Sequence, residues 1–186
     1  LAREGTMFTR FHVNSGVCAP SRTAFMTGIF PARNNVHHIY LTKEFNREHG
    51  VPDYLDPDLL TVADVMRQAG YATAHIGKWH LCGRVPDAPT PDQYGFESWL
   101  VSHGNLASPR YRTRWDATSR PVTESSHWIM EDGIEYIEKH RGDDRPFYLQ
   151  LWTLVPHAPL LPSPEERAVY AGLDADPGDF SSWMRQ

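Results

Sequence analysis

The sequence predicts an α/β protein built on a mixed, largely parallel sheet flanked by helices. Three observations carry that expectation. Strand-like and helix-like segments alternate along the 186 residues, and long loops follow the strand-like ones. The final strand-like segment, "PFYLQLWTL" (146–154), is a nearly unbroken apolar run of the kind covered on both faces.

Each element has its own signal. "MFTRFHV" (7–13) has the aromatic and β-branched content of a strand and runs into Gly16 and Cys18. Pro20 suits the first turn of a helix and Gly28 its end, so Cys18 is expected at or just before a helix N-terminus. Residues 34–58, with mixed polarity and two prolines, read as a long irregular excursion. In "TVADVMRQAG", Thr61 is an N-cap with Asp64 three residues on, Val62, Val65 and Met66 form the apolar set, and Gly70 ends the helix. "YATAHIG" follows as a strand, with Lys78, Trp79 and His80 at its C-terminal end. Residues 86–121, rich in Pro, Ser, Arg and aromatics, read as loop. Residues 123–141 form an amphipathic helix with Met130, Ile134 and Ile137 as its apolar stripe and Gly142 as its stop. "SPEE" (163–166) is a capping box with proline at the first helical position.

In open sheets of this kind, ligands bind in the crevice beyond the C-terminal ends of the strands. Cys18, Lys78 with His80, and His157 each follow a strand-like segment, so three distant stretches are expected to converge on one edge. No internal repeat, low-complexity segment or domain linker is evident.

Composition bounds the function. With 40% hydrophobic and 22% charged residues the chain can bury a core of its own, and a net charge of -5 without a basic stripe points away from nucleic acid. No apolar run approaches the roughly 20 residues needed to span a bilayer. Two cysteines, Cys18 and Cys82, are too few for a disulfide framework. No Asn-x-Ser/Thr sequon occurs, which favours a bacterial source. The chain begins at Leu1 and ends after "SSWMRQ", and both ends read as cuts in a longer protein.

A cysteine at a helix start with an arginine four residues on suits a nucleophilic thiolate, because the helix dipole and the guanidinium both favour an anion. His80 or His157 could serve such a thiol as base. A second reading rests on longer stretches. "CAPSR" followed by "TAFMTG" (18–28), "GYATAHIGKWHL" (70–81) and "FYLQLWTLVPHAPLLP" (147–162) occur in one order along the chain. Together they resemble the signatures of the formylglycine-dependent sulfatases, of the alkaline-phosphatase-like superfamily. Cys82 stands where many members pass directly from Leu to Gly.

The resemblance implies hydrolysis of sulfate esters, on a carbohydrate or aryl substrate, by an aldehyde that a formylglycine-generating enzyme makes from Cys18. The aldehyde's hydrate would be the nucleophile and, through one hydroxyl, a ligand of Ca2+ or another divalent cation. Arg22 would fix that hydrate, Lys78 would bind the sulfate oxygens, and His80 would take the remaining hydroxyl proton. His157 would hold the sulfate and assist the leaving alcohol, and Ser102 would contact hydrate or substrate. Apart from the resemblance, Trp99, Trp115 and Trp128 would suit stacking on a sugar but more often such residues anchor a core, and His37 and His38 read as structural histidines in a loop placed where it could border the pocket. On this resemblance residues 1–186 are part of a single catalytic domain, its N-terminal part, lacking the first metal-binding strand and the C-terminal portion. An exported bacterial protein, periplasmic or secreted, is expected. A phosphonate monoester or phosphodiester hydrolase on the same scaffold, and a non-catalytic fragment, are the alternatives.

Overall fold

The computed structural model describes residues 3–102, 124–157 and 162–171. The chain divides into two compact units, Leu1–Val155 and Pro156–Gln186. Within the first lie helices α1 (Cys18–Thr27), α2 (Lys43–Glu48), α3 (Val62–Gln68) and α4 (Ser125–His140), and strands β1 (Ala72–Lys78), β2 (Ser98–Ser102) and β3 (Phe147–Trp152). Helix α5 (Pro164–Val169) belongs to the second unit, where Ser163 and Glu166 form the expected capping box.

The three strands form a parallel sheet in the order β2-β1-β3. Strand β1 is central because it can be buried on both faces: from Thr73 to Lys78 every residue is buried. Its polar side chains are bonded rather than merely hidden. Thr73 donates through Oγ1 to the Gly95 carbonyl at 2.6 Å and accepts from the Glu97 N–H. At the same end, Arg145 donates to the Gly70 and Tyr71 carbonyls and pairs with Glu97 at 2.9 Å, tying the start of β1 to the segments beside it.

Alternation along the strands assigns the two faces. Ala74 and Ile76 of β1 and Leu149 and Leu151 of β3 point to the side of α4, where Ile76, Ile129 and Leu154 form an apolar cluster. Thr73, His75 and Gly77 point to the other side with Tyr148, Gln150 and Trp152. There Met26 of α1 and Ala63 of α3 join Trp79, Leu81, Tyr94, Phe96 and Val101 in the main core. The Thr61–Asp64 capping box starts α3, and the Thr61 hydroxyl also donates to the Tyr94 carbonyl at 2.8 Å.

Several expectations are corrected. Residues 7–13 form no strand: Met7, Phe8, Phe11 and Val13 are exposed, and strand propensity is realised only by pairing. The excursion at 34–58 contains α2, begun by Thr42, whose side chain accepts from the Phe45 N–H. The stretch at 86–121 contains a 3-10 turn, Pro91–Tyr94, and strand β2, while its remainder from 103 lies outside the described residues. On α3, Val65 is exposed and Ala63 is the buried residue. The proposed stripe of α4 faces outward, with Met130, Ile134 and Ile137 at 39%, 56% and 41% exposure. The helix instead turns Ile129, Gly133 and Tyr136 inward, because Gly133 lets its backbone approach to where a Cβ would stand 3.0 Å from Leu151. Strand β3 is only half covered, Gln150 being its one fully buried residue.

Candidate active site

Helix α1 delivers two of the expected residues. Val17, extended at φ -100° and ψ 138°, is its N-cap, so the helix begins at Cys18; Gly28, at φ 68°, ends it by donating to the Ala24 carbonyl. Positions 18 and 22 are separated by four residues and share one helix face, which is the physical content of the C-x-P-x-R spacing.

The end of β1 delivers the others. At Gly77 the chain takes φ 116°, and a Cβ there would run into the backbone carbonyl of Trp152 on β3. Only glycine permits both the close approach and the turn of the strand end. Lys78 follows, paired in register with Ser102 at the end of β2, and the Trp79 N–H donates to the Ser102 carbonyl at 2.8 Å. His80 stands at φ 54°, a left-handed conformation rare for a side-chain-bearing residue. That conformation carries its ring to α1.

There the Cys18 sulfur lies 3.1 Å from His80 Nδ1. On the ring's other side, Nε2 faces the Tyr40 carbonyl at 3.3 Å. A carbonyl can only accept, so Nε2 carries a proton, and in the neutral ring the Nδ1 lone pair faces the thiol. Arg22 donates through Nη1 to the Lys78 carbonyl at 2.9 Å, and its guanidinium stacks on the Trp152 ring at 4.3 Å. Lys78 completes the group with a side-chain hydrogen bond to Cys18.

Two cations thus stand beside one small nucleophile. Burial pulls the Arg22 guanidinium down to about 10, with Cys18 opposing the shift, so it keeps its charge at neutral pH. Burial also pulls the Lys78 ammonium below the usual lysine range; Cys18 opposes this and Arg22 reinforces it. Such a group favours a bound anion and charge developing on it.

The family model described as sulfatase matches residues 1–177. The chain belongs to the sulfatase family. It is 30% identical over 171 residues to an ulvan-active sulfatase of Formosa agariphila, covering 89% of this chain and 31% of that protein. With the human N-acetylgalactosamine-6-sulfatase it shares 30% identity over 193 residues, covering 88% of this chain and 35% of the relative. Among solved structures, Ps i-CgsB in complex with k-i-k-neocarrahexaose superposes with a TM-score of 0.65 at 19% identity, over 88% of this chain and 40% of that one. The chain therefore spans about a third of the length of these curated sulfatases, and its fold is the alkaline-phosphatase-like α/β fold of the family.

Calcium, which the family resemblance implies, is not accommodated by the described residues alone. It takes six to eight oxygen ligands, whereas Cys18 is surrounded by Arg22, Lys78 and His80. No group of three or more His, Cys, Asp or Glu suited to a metal occurs among the described residues.

The structure brings together Cys18, Arg22, Lys78 and His80, and places Ser102 beside Lys78 in the sheet. His157 is exposed and belongs to the second unit. The loop of His37 and His38 reaches the site through the Tyr40 carbonyl. Of the tryptophans, Trp128 is buried on α4, Trp99 is partly exposed on β2, and Trp115 lies outside the described residues. Sequence reasoning missed Trp152, which carries Arg22, and the buried pair His75 and Gln150. Their signal was present as polar residues inside otherwise apolar strands.

Proposed function

We propose that the protein to which this chain belongs hydrolyses sulfate esters of carbohydrates, with Cys18, converted to formylglycine by a formylglycine-generating enzyme, as its nucleophilic residue. The observation that carries this reading is the Cys18–His80 contact at 3.1 Å flanked by Arg22 and Lys78 in a chain of the sulfatase family. Carbohydrate substrates are favoured because relatives are named for ulvan and N-acetylgalactosamine, and a neighbour was solved with a neocarrahexaose.

The hydrated aldehyde supplies a nucleophilic oxygen and a second hydroxyl whose deprotonation expels inorganic sulfate. His80 presents an unprotonated Nδ1 to that position and takes the proton. Arg22, held from below by Trp152, offsets negative charge on the hydrate, and Lys78 binds the sulfate oxygens as a compact charge. His157 holds the sulfate and protonates the leaving alcohol, and Ser102 adds a hydroxyl beside Lys78. Calcium ligands besides the Cys18 hydrate come, on this reading, from the remainder of a protein of its relatives' length. The chain is then part of one catalytic domain, and the protein is exported by a bacterium.

The test is sulfate release from ulvan, k-i-k-neocarrahexaose and N-acetylgalactosamine-6-sulfate oligosaccharides by the full-length protein made with a formylglycine-generating enzyme. Peptide mass spectrometry should show sulfur exchanged for oxygen with two hydrogens lost at Cys18. Cleavage of phosphonate monoesters or phosphodiesters without sulfate release would replace this reading with the other hydrolase.

A further inference from the structure

The side of β1 that faces α1 holds a chain of hydrogen bonds reaching the catalytic group from behind. The Tyr148 hydroxyl donates to Gln150 Oε1 at 2.8 Å, and Gln150 Nε2 contacts His75 Nδ1 at 2.9 Å and Met26 Sδ at 3.6 Å. His75 Nε2 meets the Lys78 carbonyl at 3.2 Å, the same oxygen that accepts from Arg22.

Only one proton arrangement satisfies the set. The Lys78 carbonyl has no proton to give, so His75 must donate from Nε2 and accept at Nδ1. Gln150 then offers its amide N–H to Nδ1 and its oxygen to Tyr148. Reversing the amide would set its oxygen against a lone pair on Nδ1. The ring is wholly buried and wedged edge-on against Trp79 and Trp152, with centroids at 5.2 and 5.0 Å, so it has no room to rotate.

The bond from His75 to Lys78 also reports on the backbone. In a straight strand, residues three apart are separated by about 10 Å, beyond easy reach of an imidazole. The turn at Gly77, φ 116°, brings the carbonyl back over the ring.

We propose that His75 is a positioning residue: from beneath the sheet's edge it fixes the Lys78 carbonyl, and through that shared acceptor it sets the placement of Arg22 and of the Lys78 side chain against Cys18. This rests on the sulfatase reading of the site. His75 is wholly buried, its ring nitrogens bonded to Gln150 and the Lys78 carbonyl. Its effect reaches the chemistry through the Lys78 main chain.

Two substitutions separate its ring nitrogens. His75→Gln places an amide N–H near the Nε2 position, where it can still donate to Lys78, whereas His75→Asn ends near Nδ1 and leaves that carbonyl without this donor. In the full-length enzyme, His75→Gln should keep kcat within about threefold and His75→Asn should lower it ten- to thirty-fold, at closely similar Tm. Independently of turnover, the unmodified Cys18 thiol should react with iodoacetamide several-fold more slowly in His75→Asn than in His75→Gln, because its flanking cations are displaced. That arm still decides the inference if the wild-type enzyme releases no sulfate. Equal kcat and equal alkylation in the two variants would overturn it. If either variant fails to fold, Tyr148→Phe frees the Gln150 amide without opening a cavity; a two- to fivefold loss in both readouts supports the inference, and unchanged values overturn it.

Discussion

Arg22 rests on Trp152, its guanidinium carbon 4.3 Å from the indole centre, while Phe25 packs edge-on against the same ring at 5.7 Å. A cation–π contact contributes about 1 kcal/mol at an exposed site and about 2 kcal/mol when desolvated, and this pair is half-buried. Trp152→Leu in the full-length enzyme is therefore expected to lower kcat about tenfold or more, and Trp152→Phe to retain most of it. Steady-state kinetics beside Tm measurements check this; equal rates in wild type and Trp152→Leu would show that the indole does not support Arg22.

Removing either cation should cost more. Arg22→Ala and Lys78→Ala each delete a preorganised charge from a buried site, and losses of about 100-fold or greater in turnover are expected. Folded variants with near-normal rates would return both residues to a structural role.

Two glycines should respond differently to the same methyl group. At Gly77 the added Cβ meets the Trp152 main chain, which has no flexible end to yield, and φ is 116°. Gly77→Ala should cost roughly 3 kcal/mol or more, from positive φ and overpacking together. At Gly133 the nearest atoms are the Leu151 methyls at 3.0 and 3.1 Å, and the gain in helix propensity of about 1 kcal/mol offsets their displacement. Gly133→Ala should be near neutral. Urea midpoints for the two variants test the contrast.

Acid should destabilise the fold through His75. Burial pulls its imidazolium down to about 3, with the Lys78 carbonyl opposing the shift and Arg22 adding to it. The unfolded chain takes up this proton near pH 6.5 and the folded chain does not. The contribution is thus fully present above pH 6.5 and is lost as pH falls toward about 3, with a slope of about 1.4 kcal/mol per pH unit. Unfolding free energies of wild type and His75→Gln between pH 7 and pH 4 should show the variant with the shallower slope; parallel curves would remove His75 from the acid response.

The 186-residue chain by itself is expected to turn over no sulfate ester, even with Cys18 oxidised, since it spans only about a third of the length of its sulfatase relatives. Calorimetry with calcium and an aryl sulfate assay, run beside the full-length protein, provide the check. Tight calcium binding with full-length turnover would show that the chain carries its own metal site.

Much of the fold and of the candidate site was legible from the chain. Helix punctuation at Cys18 and Gly28, the capping boxes at Thr61 and Ser163, and the strand before Lys78 depend on local chemistry that a sequence displays directly. What was misread depended on partners. Residues 7–13 have strand composition, but among the described residues no strand lies beside them, and "SWLVS" is too short to announce β2 before β1 is known to lie beside it. On α4 the large aliphatics Met130, Ile134 and Ile137 masked an inward face set by the small Gly133. The support beneath Arg22 was hidden for the same reason, since Gln150 and Trp152 acquire meaning only once β3 is registered against His75 and Gly77.

What Arg22 grips is main chain, the carbonyl of residue 78, and not the lysine that residue carries. No codon change at that position can delete the acceptor, because every amino acid supplies the same oxygen. The two positive charges are therefore genetically separable: drift at position 78 can erase the ammonium and leave the guanidinium moored, whereas a displacement of that carbonyl, from Gly77 or from His75, unseats both in one step.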